Sequence, residues 1–430
     1  MTIENDSLAE LGLVQRTLAQ MPFLPRRARL AGSPEMAEIH RLASRLVVDG
    51  RSGREAAAMR LIDCVWWPFF VWSRLRRLRG EGLRVAAEDA GRRPIAHLLT
   101  AWWFCTRFGI PPHEYHAFAL YRPEIARHLG DFLVTPQSHR IYHTLFTRSD
   151  EAEMHQWVDK LAFHAVCRDH GIRCAHLLAV ANEGKIRFHD EPGSPAWNRD
   201  IIMKPQIGSN GSGFYRWQFQ TEGSFVGALG ETVSLDDILR QIARFSAKRP
   251  ILVEQRIVND EATSRLSGGA LATVRVVTGR DAAGTIELIA AAIKMPVGGA
   301  LVDNYMRGNV LAQIDRETGV MAAGQYYFNH FKLIDSHPDT GVKFAGRQAP
   351  QWDEIVGLAL STHARAPRLA VLAFDIAPTA QGPLLVEVNT RGDLAMVQHP
   401  GGKPIGQSPY PRIVLSHFAK GGRVRGDGQR

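Results

Sequence analysis

Two textures of apolar spacing divide this chain. Up to about Ser149 the apolar positions read as helical. Ser7 followed by Glu10 fits a capping box, and Ser33-Pro34-Glu35 fits an N-cap with proline at the first helical position. From Asp159 onward helix and strand signals alternate. Lys160 to Val166 has the spacing of an amphipathic helix, Gly171-Ile172 marks a turn, and His176 to Val180 reads as a strand. A polar loop with Pro192, Gly193 and Pro195 precedes a strand at Ile201 to Pro205. A helix near Leu235 to Phe245 follows, then strands at Ile251 to Val253, Ala272 to Thr278, Ile286 to Lys294, Val310 to Ile314, Ala370 to Ile376 and Leu384 to Val388. This succession predicts an α+β fold with mixed, largely antiparallel sheets rather than a doubly wound parallel one. The expected division is a helical domain over residues 1–150, a sheet domain over 151–420, and a disordered tail over 421–430.

Two aromatic clusters interrupt the helical half. Val65 to Trp72 contains three tryptophans and two phenylalanines and runs into Arg74, Arg76, Arg77 and Arg79, and Trp102-Trp103-Phe104 follows. Such residues suit either an interface with anionic lipid or the core of a helical domain with a solvated basic end. The core reading is favoured, because tryptophans bury large areas in any helical domain.

Composition narrows the class. Hydrophobic residues make up 45% and charged residues 22% of the 430, as in ordinary globular proteins. A formal charge of +9 favours anionic partners such as nucleotides, acidic metabolites or an anionic membrane surface. No zinc-finger spacing or RNA-binding aromatic signature occurs, which disfavours nucleic acid as a partner. The four cysteines form no CxxC pair, the acidic N-terminus carries no secretory signal, and no apolar run approaches the ~20 residues of a membrane-spanning helix. A cytoplasmic protein, with peripheral contact at the inner face of the membrane as an option, is the expectation.

The chemistry concentrates in two places. Lys204-Pro205 ends a strand and leads into a glycine-rich loop holding Gly208, Ser209, Gly211 and Gly213. Two lysines approaching a triphosphate from different elements neutralise its charge, while glycine N–H groups wrap its oxygens. Farther on, Asp375 lies on one apolar run and Glu387 and Asn389 on another. Glu-x-Asn puts both side chains on one face of a strand, and hard oxygens of this kind suit Mg²⁺. Arg275 projects from Val274-Arg275-Val276 toward the face opposite those valines, where its planar fork fits a phosphate, a carboxylate or a rim salt bridge. Lys294 and Arg307 are weaker candidates of the same kind. His139 and His143 lack the glutamate of a zinc protease motif, and Asp335, His337 and Asp339 read as a turn.

The order of these motifs, from about Asp159 to Gln407, resembles the ATP-grasp superfamily, most closely the sugar-transfer-associated ATP-grasp proteins. The resemblance implies two sheets sandwiching ATP. Lys160 matches the family's first nucleotide lysine, Lys204 the second, and the stretch Ile251 to Ile257, with Glu254 and Ile257 in it, the hinge whose backbone meets adenine. Asp260 or Glu261 falls where an acid takes the ribose hydroxyls, and Asp375, Glu387 and Asn389 match the metal triad. Thr273 to Thr278 and Val302-Asp303-Asn304 match patterns of the sugar-transfer subgroup. One departure stands out: D-alanine–D-alanine ligases carry an arginine two positions before the metal aspartate, and this chain has Ala373. Arg275, Arg307 and Arg391 are then the candidates to stabilise a developing oxyanion. The implied activity is ATP- and Mg²⁺-dependent joining of a carboxylate to an amine or other nucleophile, with a phosphotransferase or a membrane-associated accessory protein as alternatives.

Overall fold

The computed structural model describes residues 32–48, 52–77, 81–146, 151–207, 213–227, 229–298, 308–326, 332–390, 394–399 and 403–419. The Ser7 and Glu10 capping box, Gly208, Ser209, Gly211, the 302–304 stretch, Arg307, Arg391 and the 421–430 tail lie outside these residues. Two compact units make up the chain: Met1–Arg148 with Asn329–Lys332 and Asp393–Arg430, and Ser149–Phe328 with Leu333–Gly392.

The first unit is helical in its described residues. Ser33 accepts a hydrogen bond from Met36 N at 3.1 Å and so caps the helix Pro34–Val48, where proline at the first position forfeits only an N–H that has no helical partner. The C-terminal helix Tyr410–Ala419 packs against it. In the helix Gly53–Arg77, Trp67, Val71 and Leu75 recur every fourth residue and pack with Leu98, Ala101 and Cys105 of Pro94–Phe108. The Trp67 indole donates to Cys105 O at 3.1 Å and the Trp102 indole to Pro68 O at 3.0 Å, which satisfies two polar groups that burial would otherwise strand. The aromatic cluster is therefore split. Trp67 and Val71 enter the core, whereas Val65, Trp66 and Phe69 are exposed, which corrects the expectation of a core role for the whole cluster.

The second unit contains the sheets. β1 (Leu177–Asn182), β2 (Lys185–Phe188), β3 (Ile201–Pro205), β4 (Tyr215–Thr221), β5 (Ser224–Val226), β6 (Thr232–Ser234) and β7 (Ile251–Gln255) form one sheet in the order β2-β1-β7-β3-β4-β5-β6. β8 (Thr273–Arg280), β9 (Ile286–Met295), β10 (Val310–Ile314), β11 (Met321–Tyr326), β12 (Lys332–Ile334), β13 (Val371–Ala377) and β14 (Leu384–Asn389) form the other, in the order β12-β11-β10-β9-β8-β13-β14. The described strand pairings are antiparallel, as the sequence predicts.

Period-two alternation decides what each sheet offers. In the first, Ile201, Met203, Ile251 and Val253 pack under Ile238 and Ile242 of the helix Leu235–Ser246, so Ile202, Lys204, Leu252 and Glu254 take the other face. In the second, Val274, Val276, Leu372 and Phe374 pack with Trp352, Ile355 and Ala359 of the helix Trp352–His363. Arg275, Ala373 and Asp375 take the opposite face. Each sheet thus hides an apolar face under a helix and carries charge on the other.

The β10–β11 turn gives a direct test of this packing. Gly319 sits at φ 73°, and a Cβ there would collide with the Trp352 ring and the Gln348 amide. Gly319→Ala is expected to lower stability by about 2 kcal/mol or more, through backbone strain and displacement of a core tryptophan. An unchanged urea midpoint would show that the helix Trp352–His363 tolerates the shift.

Candidate active site

On the first sheet, Ile202↔Glu254 and Lys204↔Leu252 are register partners, which brings Lys204 and Glu254 to one face of two adjoining strands. Lys204 Nζ meets Glu254 Oε2 at 2.7 Å, and His164 Nε2 donates to Glu254 Oε1 at 2.7 Å. Glu254 is only 3% exposed, so its charge depends on these partners. Burial pushes its carboxyl up, but Lys204 and His164 outweigh that and hold it down at about 2. Burial likewise disfavours charge on His164, yet its hydrogen bonds with Cys174 and Glu254 raise it to about 9. The Cys174 Sγ lies 3.5 Å from His164 Nδ1. A hydrogen bond with Cys167 is the main force drawing the Cys174 thiol down; burial opposes it and His164 adds to it.

Lys160 arrives from a different element. Asp159 caps the helix Lys160–Asp169, with Oδ1 accepting from Leu161 N and Ala162 N at 2.9 Å each. Its other oxygen accepts from Gln206 Nε2 at 2.7 Å, and Lys160 N donates to Gln206 O at 3.3 Å. The start of this helix is therefore tied to the residue after β3. Burial pushes the Lys160 ammonium down and Lys204 adds to that, while Glu387, Glu254 and Asp159 oppose it. A helix N-terminus and two lysines gather positive potential at one place.

On the second sheet, Asp375 stands opposite Arg275 on one side and Glu387 on the other. Arg275 grips it bidentately, Nε to Oδ1 and Nη2 to Oδ2 at 2.7 Å each, and Lys294 Nζ lies 3.0 Å from Oδ2. Burial opposes the charge, but Arg275 and then Lys294 hold the Asp375 carboxyl well below the usual carboxylate range. The register slips between Asp375 and Ile376, so that Val386 and Glu387 together oppose Asp375. Such a bulge re-aims a side chain, and here Val386 turns into the cavity. Asn389 donates to Glu387 Oε1 at 3.1 Å. These hard oxygens suit Mg²⁺. A carboxylate offers about four acceptor directions, and the contacts from Arg275 and Lys294 use three on Asp375. One remains to join Glu387 and Asn389, so the donor set fits the ion.

A cavity of about 340 Å³ is lined from both sheets, and Lys160, Asp375, Glu387 and Asn389 are not among its lining residues. Ile202, Lys204 and Glu254 line it from the first sheet and Val386 from the second. Strand pairing stops at Gln255, so Ile257, which also lines the cavity, keeps its backbone N–H and carbonyl outside the ladder. Gly213, at φ 75°, has the side chain of Arg249 where a Cβ would stand. Asp260 is occupied elsewhere: it caps the helix Glu261–Ser267 through Thr263 N at 2.7 Å and accepts from Gln351 Nε2 at 2.8 Å. Glu261 is exposed and pairs with Arg265. Neither acid lines the cavity. A second cavity, of about 370 Å³, is lined by His170, Arg173, Glu354 and Arg365 and includes none of the candidate site residues. Sequence reading passed over His164, Cys174, Gln206 and Val386. Only the capping aspartate ahead of Lys160 left a local signal there.

Two antiparallel sheets, the first bringing Lys204 and Glu254 and the second Val386 to one cavity, are the architecture of an ATP-grasp protein. A sequence model of the sugar-transfer associated ATP-grasp family matches residues 140–408, more than half of the chain, and the chain belongs to that family. Solved structures with weak overall similarity include the ADP complex of N5-carboxyaminoimidazole ribonucleotide synthetase, at 12% identity over 56% of this chain and 46% of that one, with a TM-score of 0.33. D-alanine–D-alanine ligase from Bacillus anthracis gives 13% identity, 63% and 65% coverage, and a TM-score of 0.32. L-amino acid ligase from Bacillus licheniformis gives 13%, 64% and 54%, and 0.36. The chain thus spans less than two thirds of each of these proteins. No curated protein matches it.

The Glu254 network predicts a pH dependence. Glu254 has a lowered value, so its contribution is present above the ordinary 4.5 and lost as pH falls through about 2. His164 has a raised value, so its contribution is full below 6.5 and lost as pH rises through about 9. Glu254→Gln leaves two cations without their shared anion and is expected to cost on the order of 3 kcal/mol near pH 6. Urea unfolding across a pH series should show the gap to the wild type narrowing as pH approaches 9. A gap independent of pH would remove His164 from the network.

Proposed function

We propose that this protein is an ATP- and Mg²⁺-dependent ligase that joins a carboxylate to an amine or other nucleophile, acting in the assembly of bacterial surface polysaccharide. The observation that carries this reading is the meeting of Lys204, Glu254 and Val386 at one cavity, with Lys160 close enough to feel the charges of Lys204, Glu254 and Glu387. In this reading Lys160 and Lys204 hold the polyphosphate, and the glycine loop of Gly208, Ser209, Gly211 and Gly213 wraps it. The adenine lies between Ile202 and Val386, with its edge on the backbone at Ile257. Glu387, Asn389 and the remaining acceptor of Asp375 hold Mg²⁺, which supplies charge neutralisation at the phosphates when bound.

The acceptor carboxylate attacks the γ-phosphorus, the bond to the β-phosphate breaks and ADP leaves, and the resulting acyl phosphate is attacked at its carbonyl carbon by the second substrate, which loses a proton as inorganic phosphate departs. The protein contributes positioning and fixed charge rather than a covalent link to the substrate. Arg275, Arg307 and Arg391 are the groups proposed to stabilise the developing oxyanion. A phosphotransferase remains the second reading, since Ala373 replaces an arginine characteristic of D-alanine–D-alanine ligases. The family's association with sugar transfer is the support for the polysaccharide role.

Two measurements test this. Lys160→Met and Lys204→Met keep the apolar stem and remove the charge, and calorimetric affinity for MgATP should fall about tenfold or more in each. Unchanged affinity in both would end the assignment. Reaction class follows from screening small carboxylic acids with amines for ADP release, then labelling the active acid with ¹⁸O. A ligase transfers one labelled oxygen to the inorganic phosphate, because the carboxylate oxygen bridges the acyl phosphate. A stable phosphorylated product with no labelled phosphate would place the protein among the phosphotransferases.

A further inference from the structure

The helical unit carries a surface that nucleotide chemistry does not use. On the helix Gly53–Arg77, Leu61, Val65 and Phe69 recur every fourth residue and are 67%, 59% and 66% exposed, with Trp66 beside them. On Pro94–Phe108, Ile95, Leu99 and Trp103 recur at the same spacing and are 74%, 52% and 55% exposed. The bond from the Trp102 indole to Pro68 O and the edge-to-face contact of Trp72 with Trp102 hold the two helices together, so the rows flank a common seam. Apolar residues this large remain against water at a cost until something covers them, and a patch of this kind marks an interaction site.

We infer that this face seats on the surface of a bilayer rich in anionic lipid. Charge complementarity selects that partner. Among the side chains described on the same two helices, Arg54, Arg60, Arg74, Arg76, Arg77 and Arg107 are exposed, against the exposed Glu55. Arg74, Arg76 and Arg77 close the last turns of the longer helix, where phosphate headgroups could meet them as the apolar row enters the acyl boundary. Tryptophans at the margin suit the headgroup level, since each presents an apolar ring and an N–H. Among the described residues no helix is long and apolar enough to cross a membrane, so the mode is a helix pair lying in the interface.

The test uses the full chain with sucrose-loaded vesicles of phosphatidylcholine alone or mixed with phosphatidylglycerol. Binding to the mixed vesicles, falling with added salt, is expected. The triple variant Leu61→Ser, Phe69→Ser, Trp103→Ser changes exposed positions only, so its melting curve should match the wild type while vesicle affinity falls at least about tenfold. Arg74→Gln, Arg76→Gln, Arg77→Gln should weaken binding to the mixed vesicles and leave binding to neutral ones unchanged. Absence of sedimentation with the mixed vesicles would overturn the inference, as would undiminished binding of a folded triple variant. Self-association abolished by the triple variant, without vesicle binding, would assign the face to a second copy and overturn it too.

Discussion

Each sheet of the second unit buries one carboxylate between two cations, and the rest of the site follows from that arrangement. Glu254 lies between Lys204 and His164, and Asp375 between Arg275 and Lys294. An isolated carboxylate at such depth would cost several kcal/mol or take up a proton. With two partners each stays ionised and fixes both cations in position. With His164 protonated, each carboxylate faces two cations, and the lowered Cys174 thiol beside His164 and Glu387 opposite Asp375 offset the remaining positive charge. Lys160 is the further cation, its ammonium pushed down by burial and by Lys204, and an anionic ligand there would favour its charged form.

Small backbone devices decide where these charges point. The slip between β13 and β14 puts Val386 and Glu387 opposite a single residue, so an apolar wall and a candidate metal ligand come from consecutive positions. A regular strand would send one of them to the helix-covered face. Asp159 acts in a similar way. Its two oxygens serve the helix cap and Gln206, so the backbone of Lys160 is fixed relative to the end of β3. Loss of either device would leave the charges present and misplaced.

Much of this was legible in the sequence because it rests on period two. The runs at Ile201 to Pro205, Ala272 to Thr278, Ala370 to Ile376 and Leu384 to Val388 are strands within a residue or two of the expected bounds. β4 was not marked, although Tyr215, Trp217 and Phe219 alternate clearly, and the short β5 and β6 carry too few residues to show a period. Asp260 was misleading for a physical reason. An aspartate three residues before a threonine N–H is also a helix cap, and the local bond absorbs the carboxylate. His164 could not be read at all. Its role depends on Glu254, 90 positions away, and no local pattern records that distance.

The position of Ala373 shows how far strand neighbours can substitute for sequence neighbours. Ala373 is fully buried on the same face as Asp375, with Asn389 and Val277 as its register partners, and a cation cannot come from that site. The cations reach Asp375 from the adjoining strands instead, Arg275 from β8 and Lys294 from β9. A bidentate arginine fixes the carboxylate plane, while the lysine acts as a point charge on one oxygen. That division directs the remaining acceptor of Asp375 without an arginine on its own strand. It also commits Arg275 to the carboxylate, so any part it takes in stabilising a developing oxyanion is one it shares with Asp375.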